Sequence, residues 1–237
     1  MERLGLKEWN PPSVILMGPG PSNVHYRVYQ AMATPVIGYL DPQLLVCLDE
    51  ISAMLRDLFQ TKNRLTLALP ATGGAGMEAA WVNFVEPGET VVIGVKGFFG
   101  DRMTEVASRA GAKIIRVDQE WGKMIDPESI IKALKAHPEA KICGIVHAET
   151  STGVRQSLEE IGAYCKKTDT LFLVDAVTSL GACEVKVDPW GSISVTAVLR
   201  KESVSLRDSL RSRRAPKPWM CFIHGRRKSR AGILIYR

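Results

Sequence analysis

Short runs of β-branched and apolar residues alternate with amphipathic segments through residues 1–190. This alternation is typical of repeated strand–helix–strand units. Strands linked in this way pair in parallel, and the linking helices cover the sheet. The predicted fold class is therefore α/β, a three-layer, mostly parallel sheet with helices on both faces. The predicted strands are 65–69, 90–95, 113–118, 141–147 and 170–176, and the predicted helices are 43–59, 76–85, 101–110, 127–136 and 157–167.

Start signals strengthen two of these helices. Asp126 stands directly before Pro127, as a helix N-cap does. Ser157 is followed three positions later by Glu160, which is the spacing of a capping box. In open parallel sheets, ligands bind at the carboxyl ends of the strands, so the loops after the strands are where a site is expected.

Composition excludes several classes of protein. The chain has 237 residues, of which 46% are hydrophobic and 24% charged, which predicts one sizeable core and not a large two-domain enzyme. No stretch reaches the roughly 20 apolar residues of a membrane span, and residues 1–20 lack a signal peptide, so a cytoplasmic location is expected. Neither the five cysteines nor the four histidines show metal-ligand spacing, so no metal site is predicted.

The net charge of +6 is distributed unevenly along the chain. Residues 191–237 hold 12 Lys and Arg but only 2 Asp and Glu, whereas residues 1–190 are acidic overall. One interpretation is a basic arm that binds nucleic acid, although isolated basic runs are poor evidence for it. The predicted organisation is an N-terminal arm at 1–20, a ligand-binding domain at 21–190 and a basic tail at 191–237.

Two groups of residues after predicted strands could bind a ligand. Thr72, Gly73 and Gly74 lie between a strand and a helix, where small residues let backbone N–H groups approach a phosphate; a plain tight turn is the alternative. Asp175 ends the strand 170–176, and a buried carboxylate there needs a cationic or hydrogen-bonding partner. The alternative is that Asp175 only caps the next turn.

Three further segments stay open on the residues alone. Polar side chains crowd 149–152 after the strand 141–147, either as a ligand loop or as a polar turn. Phe98 and Phe99 follow the strand 90–95, where one ring could stack on a planar ligand or belong to the core. The segment GPGPSN, 18–23, cannot be helical and predicts a loop.

Five motifs follow one another along the chain: GPGPSN (18–23), QTKNRLTLALPATGGAGMEAAWVNFVEPGE (60–89), GFFGDR (97–102), HAETSTGV (147–154) and LFLVDAVTSLG (171–181). Taken together and in this order, they resemble the class V aminotransferases among the fold type I pyridoxal-phosphate enzymes, and within them the alanine or serine:glyoxylate (serine:pyruvate) branch. The resemblance covers residues 13–190.

The resemblance implies pyridoxal 5'-phosphate as cofactor, the large domain of that fold at 21–190, and a homodimer. It implies amino transfer from alanine or serine to glyoxylate or pyruvate; aminoethylphosphonate transaminases and cysteine desulfurases are the alternatives within the class. The implied site residues are Thr72, Gly73 and Gly74 at the phosphate, Phe99 stacked on the ring, Thr150 beside the ring oxygen, and Asp175 paired with the pyridine nitrogen so that the ring withdraws electrons.

The family's cofactor-binding lysine corresponds by spacing to Lys201, 26 positions after Asp175. Its neighbours, SISVTAVLR, differ from the YSGSQ that precedes the lysine in the family. Each codon of this run permits the family residue when it is read one base out of register. We therefore expect a frameshift after about Gly191, loss of the C-terminal small domain, and an inactive chain as written; a non-catalytic fragment is the alternative to an enzyme.

Overall fold

The structure is a computed structural model that describes residues 10–191 together with the backbone of two short strands, 194–196 and 220–223. Its helices are α1 (Tyr26–Met32), α2 (Pro42–Leu58), α3 (Gly73–Phe84), α4 (Phe98–Arg109), α5 (Pro127–Ala136), α6 (Glu159–Lys167) and α7 (Val187–Trp190). Its strands are β1 (Leu67–Pro70), β2 (Thr90–Val95), β3 (Lys113–Asp118), β4 (Ile142–Val146), β5 (Leu171–Asp175), β6 (Ser194–Thr196) and β7 (Met220–Ile223).

A parallel sheet organises the fold. Its five strands follow the order β3-β2-β4-β5-β6, and all neighbours are parallel. Strand β1 pairs instead with β7, antiparallel. Because the tail has no clear strand period beyond its first few residues, this pairing was not predicted from the sequence. The predicted α/β class is confirmed.

Helices cover both faces of this sheet, as predicted. One core cluster joins α2, α5 and α6 to the sheet, and it includes Cys143 and Ile145 of β4. The other joins α3 and α4 to the opposite face, and it includes Ile142 and Val146 of the same strand. The alternation of side chains along β4 therefore separates the two layers.

Trp81 of α3 is the largest side chain fully buried among the described residues. It packs across β4 at Gly144, where an added Cβ atom would lie 2.7 Å from Trp81 Cζ2. The bare backbone at Gly144 thus lets helix and strand approach closely.

The observed start of one predicted helix agrees with the sequence-based prediction, and that of another does not. Asp126 caps α5 as predicted, with its side chain accepting from the backbone N–H of Glu128 at 3.2 Å. The capping box is wrong: α6 begins at Glu159 with Leu158 as N-cap, and Ser157 Oγ donates instead to Glu159 Oε2 at 3.0 Å. Helix α1 was not predicted.

An exposed apolar surface runs along the N-terminal part of the chain. Within α2 only Ile51 and Leu55 are buried, while Leu45 and Leu48 are exposed. We call the exposed set the N-terminal apolar surface: Val14, Ile15, Leu16, Met17, Tyr26, Tyr29, Met32, Val36, Ile37, Tyr39, Leu40, Leu45, Val46 and Leu48. No helix among the described residues is long and apolar enough to cross a membrane.

Candidate active site

The loops that follow β2, β4 and β5 meet at the carboxyl edge of the parallel sheet. The Nζ atom of Lys96, directly after β2, donates to the carbonyl of Val146 at the end of β4, 2.7 Å away. Beyond the strands, the hydroxyls of Thr150 and Thr178 form a short hydrogen bond that joins the β4 loop to the β5 loop. The edge where the sequence predicted a site is therefore built from contacting loops.

Asp175 ends β5 and is 3% exposed. Its Oδ1 atom accepts from the backbone N–H of Val177 at 2.9 Å, so the side chain caps the next turn. The carboxylate of Asp175 therefore has two partners that the sequence leaves open as alternatives. It caps the turn, and its negative charge attracts the ammonium of Lys96.

Phe98 and Phe99 occupy the first turn of α4, three residues earlier than the helix start predicted from the sequence. Phe98 is exposed, whereas Phe99 is half-buried against the core cluster of α3 and α4. Their rings meet edge to face, with centroids 5.3 Å apart. Phe99 is thus anchored by the core at the carboxyl edge of the sheet.

The first turn of α3 contains the glycines that were predicted to precede the helix. Thr72 is the N-cap, and its Oγ1 accepts from the backbone N–H of Ala75 at 3.3 Å. The N–H groups of Gly73 and Gly74 have no partner within the helix, as at every helix start. An added Cβ atom at Gly74 would find only Thr72 Oγ1, 3.9 Å away, so an anion has room here.

Lys201, the lysine that the resemblance assigns to the cofactor, lies outside the described residues. Within the described residues, no group of three His, Cys, Asp or Glu side chains is arranged to hold a metal ion.

Sequence reasoning missed the role of Glu149 at this edge. Its carboxylate is 1% exposed, and it accepts from the backbone N–H groups of Phe99 and Gly100, each at 3.3 Å. These N–H groups lie in the first turn of α4, where the backbone provides no acceptor within the helix. The N-cap residue, Gly97, has no side chain that could accept from them. In the sequence Glu149 is only one of several polar residues at 149–152, because its contact with α4 spans about 50 positions of the chain.

Lys96 was also missed. It is 1% exposed, and burial lowers the pKa of its ammonium to about 8. The negative charges of Glu149 and Asp175 act in the opposite direction and raise this pKa, but by less than burial lowers it. The signal in the sequence was a lysine directly after the apolar strand TVVIGV. A buried lysine of lowered pKa beside two carboxylates is typical of a functional site.

The lowered pKa of Lys96 predicts a pH-dependent stability. Between pH 8 and pH 10.5 the unfolded chain keeps the Lys96 proton while the folded chain has lost it. The unfolded state then binds more protons, so the free energy of unfolding rises with pH, by roughly 3 kcal/mol for this group. Urea unfolding at several pH values should show this rise for the unsubstituted chain and not for Lys96→Met. Parallel pH profiles for the two proteins would contradict the prediction.

The sequence also matches a family of known proteins. The family described as "Aminotransferase class-V" matches residues 25–197. The chain is 45% identical over 186 residues to the (S)-ureidoglycine–glyoxylate transaminase of Bacillus subtilis, and these cover 78% of this chain and 44% of that protein. It is 39% identical over 180 residues to the alanine–glyoxylate aminotransferase of Drosophila melanogaster, covering 76% of this chain and 45% of the relative.

Solved structures give the same result. The alanine–glyoxylate aminotransferase of Nostoc sp. superposes with a TM-score of 0.84 at 42% identity, covering 94% of this chain and 56% of that one. The chain spans about half the length of the curated relatives it matches. Since the family match covers most of the sequence and the solved relative shares its fold, the chain belongs to the class-V aminotransferases.

Proposed function

We propose that this chain binds pyridoxal 5'-phosphate, and that the whole protein to which it corresponds transfers an amino group from a small amino acid to glyoxylate or pyruvate. The observation that carries the proposal is the buried carboxylate of Asp175 at the end of β5, on an edge that also holds a half-buried aromatic ring and a hydroxyl. The names of the relatives support glyoxylate as the acceptor.

The residues present suit this cofactor. When bound, it supplies an electron-withdrawing ring that stabilises negative charge at the substrate's α-carbon. Asp175 would hold a proton on the ring nitrogen, Phe99 would cover one face of the ring and Thr150 would donate to the ring oxygen. The N-terminal turn of α3, with Thr72, Gly73 and Gly74, would hold the phosphate through backbone N–H groups.

A second amino donor is favoured by one comparison. Alanine or serine is the donor implied by the motifs, but the relative from Bacillus subtilis, at 45% identity, is named for (S)-ureidoglycine. All three donors are small and carry one α-carboxylate. Transfer to glyoxylate from alanine, serine and (S)-ureidoglycine, measured side by side, separates these possibilities.

We also propose that the tail from Ser192 is translated out of the family's reading frame, so that the chain as written has no turnover. The match to the family ends at residue 197, close to the position where the register is lost. The test is to resequence the coding DNA after codon 190 and to express both the written chain and a version restored by one base. Amino transfer by the restored protein alone is the expected result, and a restored protein inactive with all three donors would contradict the proposed activity.

The N-terminal apolar surface supports a homodimer. Fourteen large hydrophobic side chains between residues 14 and 48 are exposed, and exposed apolar residues that form a large patch mark an interaction surface. We propose that a second copy of the chain covers them. Sedimentation should therefore show a dimer that dissociates when Leu45 and Leu48 are both replaced by Glu.

Lys201, or its equivalent in the restored reading frame, is proposed as the lysine that binds the cofactor covalently. Reduction with borohydride in the presence of pyridoxal 5'-phosphate is expected to label Lys201 and to leave Lys96 unlabelled, because Lys96 is buried and donates to Val146. Peptide mass spectrometry locates the label, and Lys201→Arg is the matched control. Equal labelling of the exposed lysines, or a label on Lys96, would contradict the assignment.

A further inference from the structure

Helix α4 is capped by a side chain from another part of the chain. Its N-cap Gly97 makes no side-chain hydrogen bond, and the carboxylate of Glu149 takes that place. Glycine is required at this position for space, because an added Cβ atom would lie 2.4 Å from Glu149 Cγ and 2.6 Å from Ser151 Oγ. The β4 loop is therefore pressed directly against the start of α4.

Four hydrogen bonds fix the Glu149 carboxylate. Besides the donors of α4, the backbone N–H and the hydroxyl of Ser151 donate to Oε1, at 3.2 and 2.8 Å. Ser151 Oγ in turn accepts from the backbone N–H of Phe98 at 3.0 Å. The first three residues of α4 are thus held by the two side chains that flank Thr150, and the charged carboxylate of Glu149 suits a helix N-terminus.

The ammonium of Lys96 lies at the same junction. Its hydrogen bond to the carbonyl of Val146 joins the end of β2 to the end of β4. Its positive charge attracts the two buried carboxylates of Glu149 and Asp175. A buried carboxylate left without a nearby cation is strongly destabilising. Lys96 therefore compensates the charges that this edge of the sheet has to bury.

We propose that Glu149 and Lys96 are positioning residues of the cofactor site: Glu149 holds the first turn of α4, and with it Phe99, against the loop that carries Thr150, and Lys96 supplies a positive charge that attracts Glu149 and Asp175. Neither residue needs to touch the cofactor. The proposal rests on the proposed function for the role of Phe99, whereas the contact between Glu149 and α4 is a property of the chain alone.

The first test measures, in the absence of cofactor, how strongly Glu149 stabilises the first turn of α4. In Glu149→Gln the side chain keeps its shape but loses its charge and one acceptor, so amide hydrogen exchange in a peptide covering 97–103 should become about tenfold to a hundredfold faster. The exposed Glu120, changed to Gln, is the control and should leave this exchange unchanged. Unchanged exchange in Glu149→Gln would overturn the proposal.

The second test measures the orientation of the cofactor. Pyridoxal 5'-phosphate is achiral, so a circular dichroism band of the bound chromophore reports that the protein fixes its ring. This band should fall by at least half in Glu149→Gln and in Lys96→Met, and it should persist in the control Lys113→Met, whose lysine is exposed. A full band in the first two variants would overturn the positioning role, whereas absence of the band from the unsubstituted chain would contradict the proposed cofactor.

The double variant separates charge compensation from a general loss of packing. Lys96→Met removes a positive charge that attracts both carboxylates, but in Lys96→Met with Glu149→Gln one of those negative charges is removed as well. The drop in melting temperature of the double variant should therefore be smaller than the sum of the two single drops. Additive drops would overturn the role of Lys96 as the compensating charge.

Discussion

Replacing Asp175 by Asn is expected to weaken the binding of pyridoxal 5'-phosphate to this chain by about 30-fold to 5,000-fold. Removing one partner of a buried, hydrogen-bonded charge pair costs about 2 to 5 kcal/mol, and each 1.4 kcal/mol is about tenfold in affinity. The amide of Asn can still accept from the backbone N–H of Val177 through its oxygen, so the turn after β5 keeps its cap. The loss then reports the missing negative charge.

The matched control lies at the other end of the same strand. Asp169 precedes β5 and is exposed, so Asp169→Asn removes the same charge far from the carboxyl edge. Titration of the cofactor by protein fluorescence measures both variants. Equal affinities for Asp175→Asn and the unsubstituted chain would contradict the assignment of Asp175 to the ring nitrogen.

Truncation of Trp81 is expected to have the largest effect on stability. Trp81 is 0% exposed and packs between α3 and the middle of β4, so Trp81→Ala should lower the free energy of unfolding by about 3 to 5 kcal/mol through lost burial and the cavity left behind. A loss of this size is a large part of the stability of an ordinary domain.

Trp121 provides the comparison within the same chain. Its side chain is 55% exposed, so Trp121→Ala should change the free energy of unfolding by less than about 0.5 kcal/mol. Urea unfolding, followed by far-ultraviolet circular dichroism to avoid the lost tryptophan signal, measures both. Similar losses for the two variants would show that α3 does not pack on β4 as described.

The regular elements were predictable where local signals are strong. The bounds of β2, β3 and α5 agree with the sequence to the residue, because β-branched runs mark the strands and Asp126 with Pro127 marks the helix start. The start of α3 was misplaced because glycine lowers helix propensity, whereas in the structure the hydroxyl of Thr72 caps the turn that contains the glycines.

The site was predictable only in part, for a physical reason. Motifs of the family point to Asp175, Phe99 and Thr150, which lie at or just after the ends of β5, β2 and β4, three neighbouring strands of the sheet, but their assigned roles stay predictions. Glu149 and Lys96 act through partners about 50 positions away, and no local pattern reports such a contact.

The fit of Trp81 against Gly144 constrains the order in which the sequence can evolve. A methyl group at 144 would lie 2.7 Å from Trp81 Cζ2 and 2.9 Å from Met103 Sδ, so even Ala at 144 requires the buried ring of Trp81 to shift. A lineage that acquires a larger residue at 144 must therefore first replace Trp81 by a smaller residue. That intermediate protein has a cavity between α3 and β4. Descendants that carry a larger residue at 144 are therefore expected to carry a smaller one at 81.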